Sequence, residues 1–207
     1  MNICLLGATG RVGSIILENA IDNNHTVHAL IRDKDKIFST KHPRLHYFEG
    51  NALNPEDISR AMHGTDVVIS ALNTDGSTTL SESIVYITQQ MKMEKIKRII
   101  TIGTAGILQA RSEPSLYRFQ SSESKRKTTK DAEEHLKAYI HLKESGLDWT
   151  MVCPTYLPLG ERMGVYRFEK EFLPENPSSI SVFDTADFAF QQLFSNQFLK
   201  SRVGLTY

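Results

Sequence analysis

The segment Gly7-Ala8-Thr9-Gly10-Arg11-Val12-Gly13 constrains this chain more than any other. It follows the apolar run Ile3 to Leu6 and precedes Arg11 to Ile21, where Val12, Ile15, Ile16, Ala20 and Ile21 recur at a helical period. A strand therefore turns through three glycines into a helix. Gly7 permits the sharp turn, Gly10 leaves room for a pyrophosphate to approach the backbone, and Gly13 lets the helix pack close to the sheet. The N–H groups of the first helical turn then face an anion. A lone glycine pattern is weak evidence, and the alternative is a tight turn with no ligand. The strand before and the helix after it favour a dinucleotide site.

The same alternation continues along the chain. Thr26 to Ile31 and Leu45 to Phe48 read as strands. Asn54 caps a helix with Pro55 in its first position, running to about Met62 and stopping near Gly64. Asp66 to Ser70 is a β-branched strand, Asn73 to Thr79 a loop, and Ser81 to Glu94 a helix. Arg98 to Ile102 is the fifth strand. Thr128 or Thr129 caps a long helix that ends at Ser145-Gly146, and Trp149 to Val152 is a sixth strand stopped by Pro154. The tail reads as a strand at Ile180 to Phe183, a helix from Thr185 to Phe194 and a last strand at Val203 to Thr206. Strands separated by helices pair in parallel through right-handed crossovers. The predicted fold is α/β, a Rossmann-type doubly wound parallel sheet with helices on both faces. It forms one domain over 1–207, with an irregular substrate-side segment at 155–183. Residues 109–130 are polar and long for a connection, so they read as a mobile lid or a solvated excursion.

Charge excludes some partners. Lys plus Arg and Asp plus Glu number 24 each, so no global field draws the chain to nucleic acid or an anionic membrane. No apolar stretch approaches the ~20 residues of a membrane span, and the N-terminal run is too short for a signal peptide. A cytoplasmic location is expected, as a monomer or small homo-oligomer. Cys4 and Cys153 lie in apolar runs and read as buried free thiols. The seven histidines are scattered, so no metal site is predicted.

The end of the second strand bears on the cofactor. An acid there suits a ribose 2′-hydroxyl and an arginine suits a 2′-phosphate. Arg32 comes first off the strand, and Arg11 adds a second positive charge, which favours NADP(H). Asp33 keeps NAD(H) open, and an Arg32–Asp33 surface pair is the reading without a ligand.

The glycine loop, Ile31-Arg32-Asp33, Glu49-Gly50-Asn51, Ser145 to Thr150 and Asp184 to Ala189 together resemble the atypical short-chain dehydrogenases. Within these the chain is most similar to the NAD(P)H-binding group of biliverdin IXβ/flavin reductases and NmrA-like proteins. The resemblance spans nearly the whole chain and implies NADP preference with flavin or quinone reductase activity. It places Asn51 at the adenine, where the group usually has aspartate, and Ala71, Leu72 and Asn73 beside the ribose. It places Thr104 near the nicotinamide, where the group often has serine, and Pro154 and Thr155 against the nicotinamide amide. His135 aligns with a histidine of the flavin-reductase branch.

Ketone-reducing relatives use a Tyr-x-x-x-Lys pair to protonate the alkoxide. That spacing occurs at Tyr139/Lys143 and Tyr166/Lys170, but neither falls in the expected register, where Asp131 and His135 stand instead. A conjugated ring accepting hydride gives a delocalised anion that takes its proton from solvent, so positioning carries most of the rate. Thr104 and His135 are the candidate catalytic residues, orienting the acceptor or relaying a proton. Their alternatives are a hydroxyl bonded to backbone and a solvated helix residue. Ser124-Lys125-Arg126-Lys127 is a solvated charge cluster or closes over an anionic ligand such as a flavin phosphate. The expected function is an NADPH-dependent reductase of a flavin, quinone or similar planar acceptor. A non-catalytic NADP(H)-binding regulator and a nucleotide-sugar epimerase or dehydratase are the alternatives.

Overall fold

Along the first strand, β1 (Asn2–Leu6), successive side chains go to opposite faces of a sheet and all but Asn2 are buried. Ile3 and Leu5 join a core with Ile16, Val27, Ile69, Val152 and Phe188. Cys4 and Leu6 join another with Leu30, Ile58, Met62, Ile87 and Trp149. A sheet apolar on both faces needs helices on both. The computed structural model, which describes residues 1–33, 42–74 and 76–207, has that arrangement.

Helices α1 (Arg11–Asp22) and α5 (Val182–Gln191) cover one face; α2 (Pro55–Met62), α3 (Thr79–Met93) and α4 (Lys130–Glu144) cover the other. The remaining strands are β2 (Thr26–Ile31), β3 (Leu45–Glu49), β4 (Val67–Ser70), β5 (Arg98–Ile102), β6 (Asp148–Pro154), β7 (Arg167–Lys170) and β8 (Ser201–Thr206). They form one sheet in the order β3-β2-β1-β4-β5-β6-β8-β7. The order reverses at β1 and β4, which pair in parallel, so connections leave the adjacent carboxyl ends in opposite directions. A ligand crevice opens at such a point.

The tail departs from the sequence expectation in two places. Ile180 to Phe183 is not a strand. Ser181 caps α5, its hydroxyl accepting the Asp184 N–H at 3.0 Å, so the helix starts at Val182. Only Val182 and Phe183 of that run are helical, in the first turn of α5, while the Ile180 N–H donates to the Tyr156 carbonyl at 3.0 Å. The second is β7, which pairs antiparallel with β8 on the edge of the otherwise parallel sheet. Of the two candidate caps of α4, the Thr128 hydroxyl accepts the Lys130 N–H at 3.4 Å, while the Thr129 hydroxyl donates to the Glu133 carboxylate at 2.6 Å and accepts no backbone N–H. Asn54 caps α2 as expected, accepting from Glu56 at 3.0 Å. Both cysteines are buried and free, with burial pushing each thiol up to about 12. Among the described residues, no helix is long and apolar enough to cross a membrane.

Candidate functional site

The turn after β1 is packed as tightly as a backbone allows. Gly7 has φ +85°, and a Cβ there would lie 2.6 Å from the Ala71 carbonyl oxygen. The Gly10 N–H closes the turn on the Gly7 carbonyl at 3.0 Å. Gly10 is also the N-cap of α1, with no side-chain cap and no acid in the first turn. Among the described residues, each of the other four α-helices carries an acid there: Glu56 and Asp57, Glu82, Asp131 and Glu133, and Asp184. The Glu134 carboxylate further serves α3 by accepting the Ser81 N–H at 2.9 Å. The α1 end is thus positive and without an acidic neighbour in its own turn, behind a cradle that any Cβ would fill. These residues fit a dinucleotide pyrophosphate.

A cavity of about 330 Å³ lies beyond β1 to β4, lined by Gly7, Thr9, Gly10, Arg32, Asn51, Ala71, Leu72 and Asn73 among others. Its far wall is built in advance. The Asp57 carboxylate accepts the Asn51 N–H at 2.8 Å and an Arg60 N–H at 2.6 Å. These donations, the backbone one foremost, hold the Asp57 carboxyl below its usual range. Asn51 Oδ1 accepts the Leu53 N–H at 3.0 Å, so its Nδ2 donors are what the cavity is offered.

A second cavity, about 960 Å³, lies beyond β5 and β6. Thr104, Ala105, Gly106, Pro154, Thr155 and Tyr156 form one side and residues 173–178 another. Thr104 is buried, and its hydroxyl accepts the Gly106 N–H only at the long distance of 3.5 Å. Arg111, Arg118 and residues 123–126 complete the lining. The polar segment that holds them has structure of its own. Gln109 bridges Tyr117, a 3-10 turn follows at Arg118–Gln120, and Glu123 accepts from Ser112 N at 2.8 Å and Arg118 Nε at 3.0 Å. Burial pushes the Glu123 carboxyl up, but these donations together hold it below its usual range.

The remaining site residues fall elsewhere. Ala8, Val12 and Gly13 are buried in the packing of α1 against the sheet. Arg11 donates to the Leu157 carbonyl at 2.9 Å, which directs its guanidinium to the segment after β6. His135 lines neither cavity. It is 7% exposed on the inner side of α4, and burial pushes its imidazole down to about 4. Tyr139 is buried against Trp149, and Tyr166 packs on Phe188, so neither Tyr-x-x-x-Lys spacing contributes to a cavity.

Buried Arg202 went unpredicted. It donates to the Ile107 carbonyl and to Glu171, and so ties the turn after Thr104 to the β7–β8 edge. Its partners are distant in sequence, and only the β7–β8 pairing would have signalled them.

A glycine cradle under a bare helix end, with cavities beyond the carboxyl ends of the strands, defines a Rossmann-type nucleotide-binding protein. A family model described as NAD(P)H-binding matches residues 7–196, and the chain belongs to that family. It is similar to YwnB, an uncharacterized protein of Bacillus subtilis, at 27% identity over 93% of this chain and 91% of that one. Similarity to the photosystem II assembly factor Ycf39 of Synechocystis is 33% over 52% of this chain and spans only 31% of that protein. Among solved structures, a Bacteroides thetaiotaomicron protein with a provisional epimerase assignment matches at TM-score 0.87 and 26% identity. That match covers 100% of this chain and 96% of the other. A Streptococcus pneumoniae protein with a provisional NADH-flavin reductase assignment shares the fold at TM-score 0.85 and 24% identity, covering 100% and 99%.

Proposed function

We propose that this protein is an NADPH-dependent reductase of a flavin, quinone or similar planar acceptor. The observation that carries the reading is the pairing of the bare α1 terminus with a roomy cavity at Thr104 that no Tyr-x-x-x-Lys pair lines. NADPH, when bound, supplies a hydride. The amides of the glycine loop would hold its pyrophosphate, Asn51 Nδ2 its adenine, and Arg32 its 2′-phosphate. Ala71, Leu72 and Asn73 would flank the ribose, and Pro154 and Thr155 the nicotinamide side.

That no Tyr-x-x-x-Lys pair lines the cavity favours a conjugated acceptor over a ketone. Carbonyl reduction forgoes a factor of about 10²–10⁴ without general acid catalysis. A conjugated ring does not need one, because its reduced anion is delocalised and solvent protonates it. Thr104 then acts by orientation, donating its hydroxyl proton to a carbonyl or ring nitrogen of the acceptor. His135 lies outside the cavity and contributes to the packing of α4. The pneumococcal neighbour's provisional flavin-reductase assignment agrees with this acceptor class.

The test is a turnover assay with purified protein, NADPH and either FMN or menadione, followed at the nicotinamide absorbance. Oxidation of NADPH that depends on both protein and acceptor is expected, with Thr104→Val slower by about tenfold. Tight NADPH binding with no turnover of any acceptor would instead mark a regulator that senses NADP(H).

A further inference from the structure

Six charged residues line the larger cavity: Arg111, Arg118, Lys125, Arg126, Glu123 and Glu175. Three are engaged within the protein. Arg111 pairs with Glu169 and donates to the Leu173 carbonyl, while Arg118 and Glu123 pair with each other at 3.0 Å. Among the described residues, the side chains of Lys125, Arg126 and Glu175 have no hydrogen-bond or ion-pair partner. Two consecutive residues of one wall therefore carry uncommitted cations, and one residue of the 173–178 wall carries an uncommitted carboxylate.

The cations do not ride on a loose strand. Glu123, immediately before them, has its carboxylate gripped by Ser112 N at 2.8 Å, Ser112 Oγ at 3.1 Å and Arg118 Nε at 3.0 Å. The Ser124 hydroxyl also accepts the Arg126 N–H at 3.4 Å. A solvated charge cluster needs neither this anchoring nor a cavity in front of it.

Resting on the reductase reading, we infer that the acceptor carries a phosphate or carboxylate, which Lys125 and Arg126 bind. Arg126 offers a planar fork of donors and Lys125 a compact charge, a combination suited to an oxyanion. Glu175 repels the same group, so the acceptor enters in one orientation, with its acidic end at 124–126 and its ring toward Thr104. Neutral flavins and quinones then bind the same cavity without that hold.

The test is equilibrium binding of FMN and riboflavin to the full chain with NADP⁺ present, read by quenching of flavin fluorescence. Charge-assisted bonds contribute about 1.5–3 kcal/mol, and each 1.4 kcal/mol is tenfold. FMN is expected to bind at least about tenfold tighter than riboflavin in dilute buffer, with the gap narrowing as salt is raised. The double variant Lys125→Ala/Arg126→Ala should erase the gap, and Lys125→Arg should keep it. A carboxylated naphthoquinone against menadione extends the comparison to carboxylate. Equal binding of FMN and riboflavin by the native protein overturns the inference, as does a double variant that retains the preference. A double variant that loses NADPH affinity instead would assign the two cations to the cofactor and overturn it too. Turnover of riboflavin and menadione by the native protein separates these failures from failure of the reductase reading itself.

Discussion

The guanidinium of Arg202 lies 4.4 Å from the centre of the Tyr139 ring, with the Tyr117 ring on another side at 5.3 Å. The residue is 4% exposed, and its Nε and Nη2 meet the Glu171 carboxylate at 2.8 and 2.6 Å. A desolvated cation over an aromatic face gains about 2 kcal/mol. Arg202→Met keeps the bulk but leaves Glu171 and the Ile107 carbonyl short of donors. Removing one partner of a buried pair costs about 3–5 kcal/mol. Here Glu171 is 29% exposed and keeps the Arg202 N–H at 2.9 Å, so a loss of about 2–3 kcal/mol is expected. Arg202→Lys should recover little, since an ammonium neither forks nor stacks. Urea unfolding measures both, and a methionine variant as stable as the native chain would remove this network from the account.

Two glycines separate the cradle from ordinary turn geometry. A Cβ on Gly13 would lie 2.0 Å from the Gly7 carbonyl oxygen, a backbone atom that cannot yield without moving the glycine loop. Gly64 has φ +72° but nothing within 4 Å of its would-be Cβ. Gly64→Ala is expected to cost about 1–2 kcal/mol from conformation alone. Gly13→Ala should cost more than about 3 kcal/mol or, if the chain still folds, abolish NADPH binding. Calorimetry with thermal melts tests the pair. Equal modest losses in both would mean that the close approach at Gly13 is not a constraint.

The contrast explains what the sequence made legible. The β1–glycine–α1 unit carries its signal within a few residues, because the turn, the anion site and the packing all depend on neighbouring positions. The parallel sheet was equally readable, since β1, β4, β5 and β6 are buried on both faces and most of their residues are apolar. Edge and long-range features were not. β7 is four residues, Arg167-Phe168-Glu169-Lys170, three of them charged and three exposed, and it gains strand geometry only by pairing with β8. Glu171 and Arg202 are joined through that pairing, and Glu134 reaches α3 across 53 residues. At Ile180 to Phe183 the cue is local, but it lies in the polar residues and not in the hydrophobic pattern. Ser181 with Asp184 three residues later marks a helix start.

His135 gives a pH dependence whose sign follows from its surroundings. Burial lowers its imidazole from 6.5 to about 4, opposed by the charge of Asp131, reinforced by Arg126 and opposed again by Glu134. The unfolded chain therefore binds the extra proton between those values and the native chain does not. Stability is full above about pH 7, falls as pH drops from 6.5 toward 4, and then levels off for this group. The loss is on the order of 3 kcal/mol. His25 and His28 are lowered in the same direction, chiefly by burial, so the native profile sums several groups. His135→Leu isolates one: its stability should fall less over that window. Asp184 acts lower. Burial raises its carboxyl, but donations from Tyr207, Gly164, Met163 and Ser181 bring it below 3.8, so its contribution disappears only as pH falls through that depressed value. Parallel profiles for native and His135→Leu between pH 4 and 6.5 would contradict the buried neutral imidazole.

The proposed preference for NADPH rests on the arginine that lines the smaller cavity. Arg32, exposed and first off β2, lines it. Arg11 turns instead to the Leu157 carbonyl, on the side of the segment after β6. A 2′-phosphate bound by Arg32 gains charge-assisted bonds of about 1.5–3 kcal/mol, somewhat less at an exposed rim in physiological salt. Arg32→Ala is therefore expected to weaken NADPH about tenfold while moving NADH by no more than about twofold. Arg11→Ala should leave the ratio of the two affinities unchanged, because its guanidinium is engaged elsewhere. Titration calorimetry with both nucleotides distinguishes these outcomes. Equal losses for NADPH and NADH in Arg32→Ala would mean that this side chain senses no 2′-phosphate. A changed ratio in Arg11→Ala would mean that its bond to Leu157 gives way when the nucleotide enters.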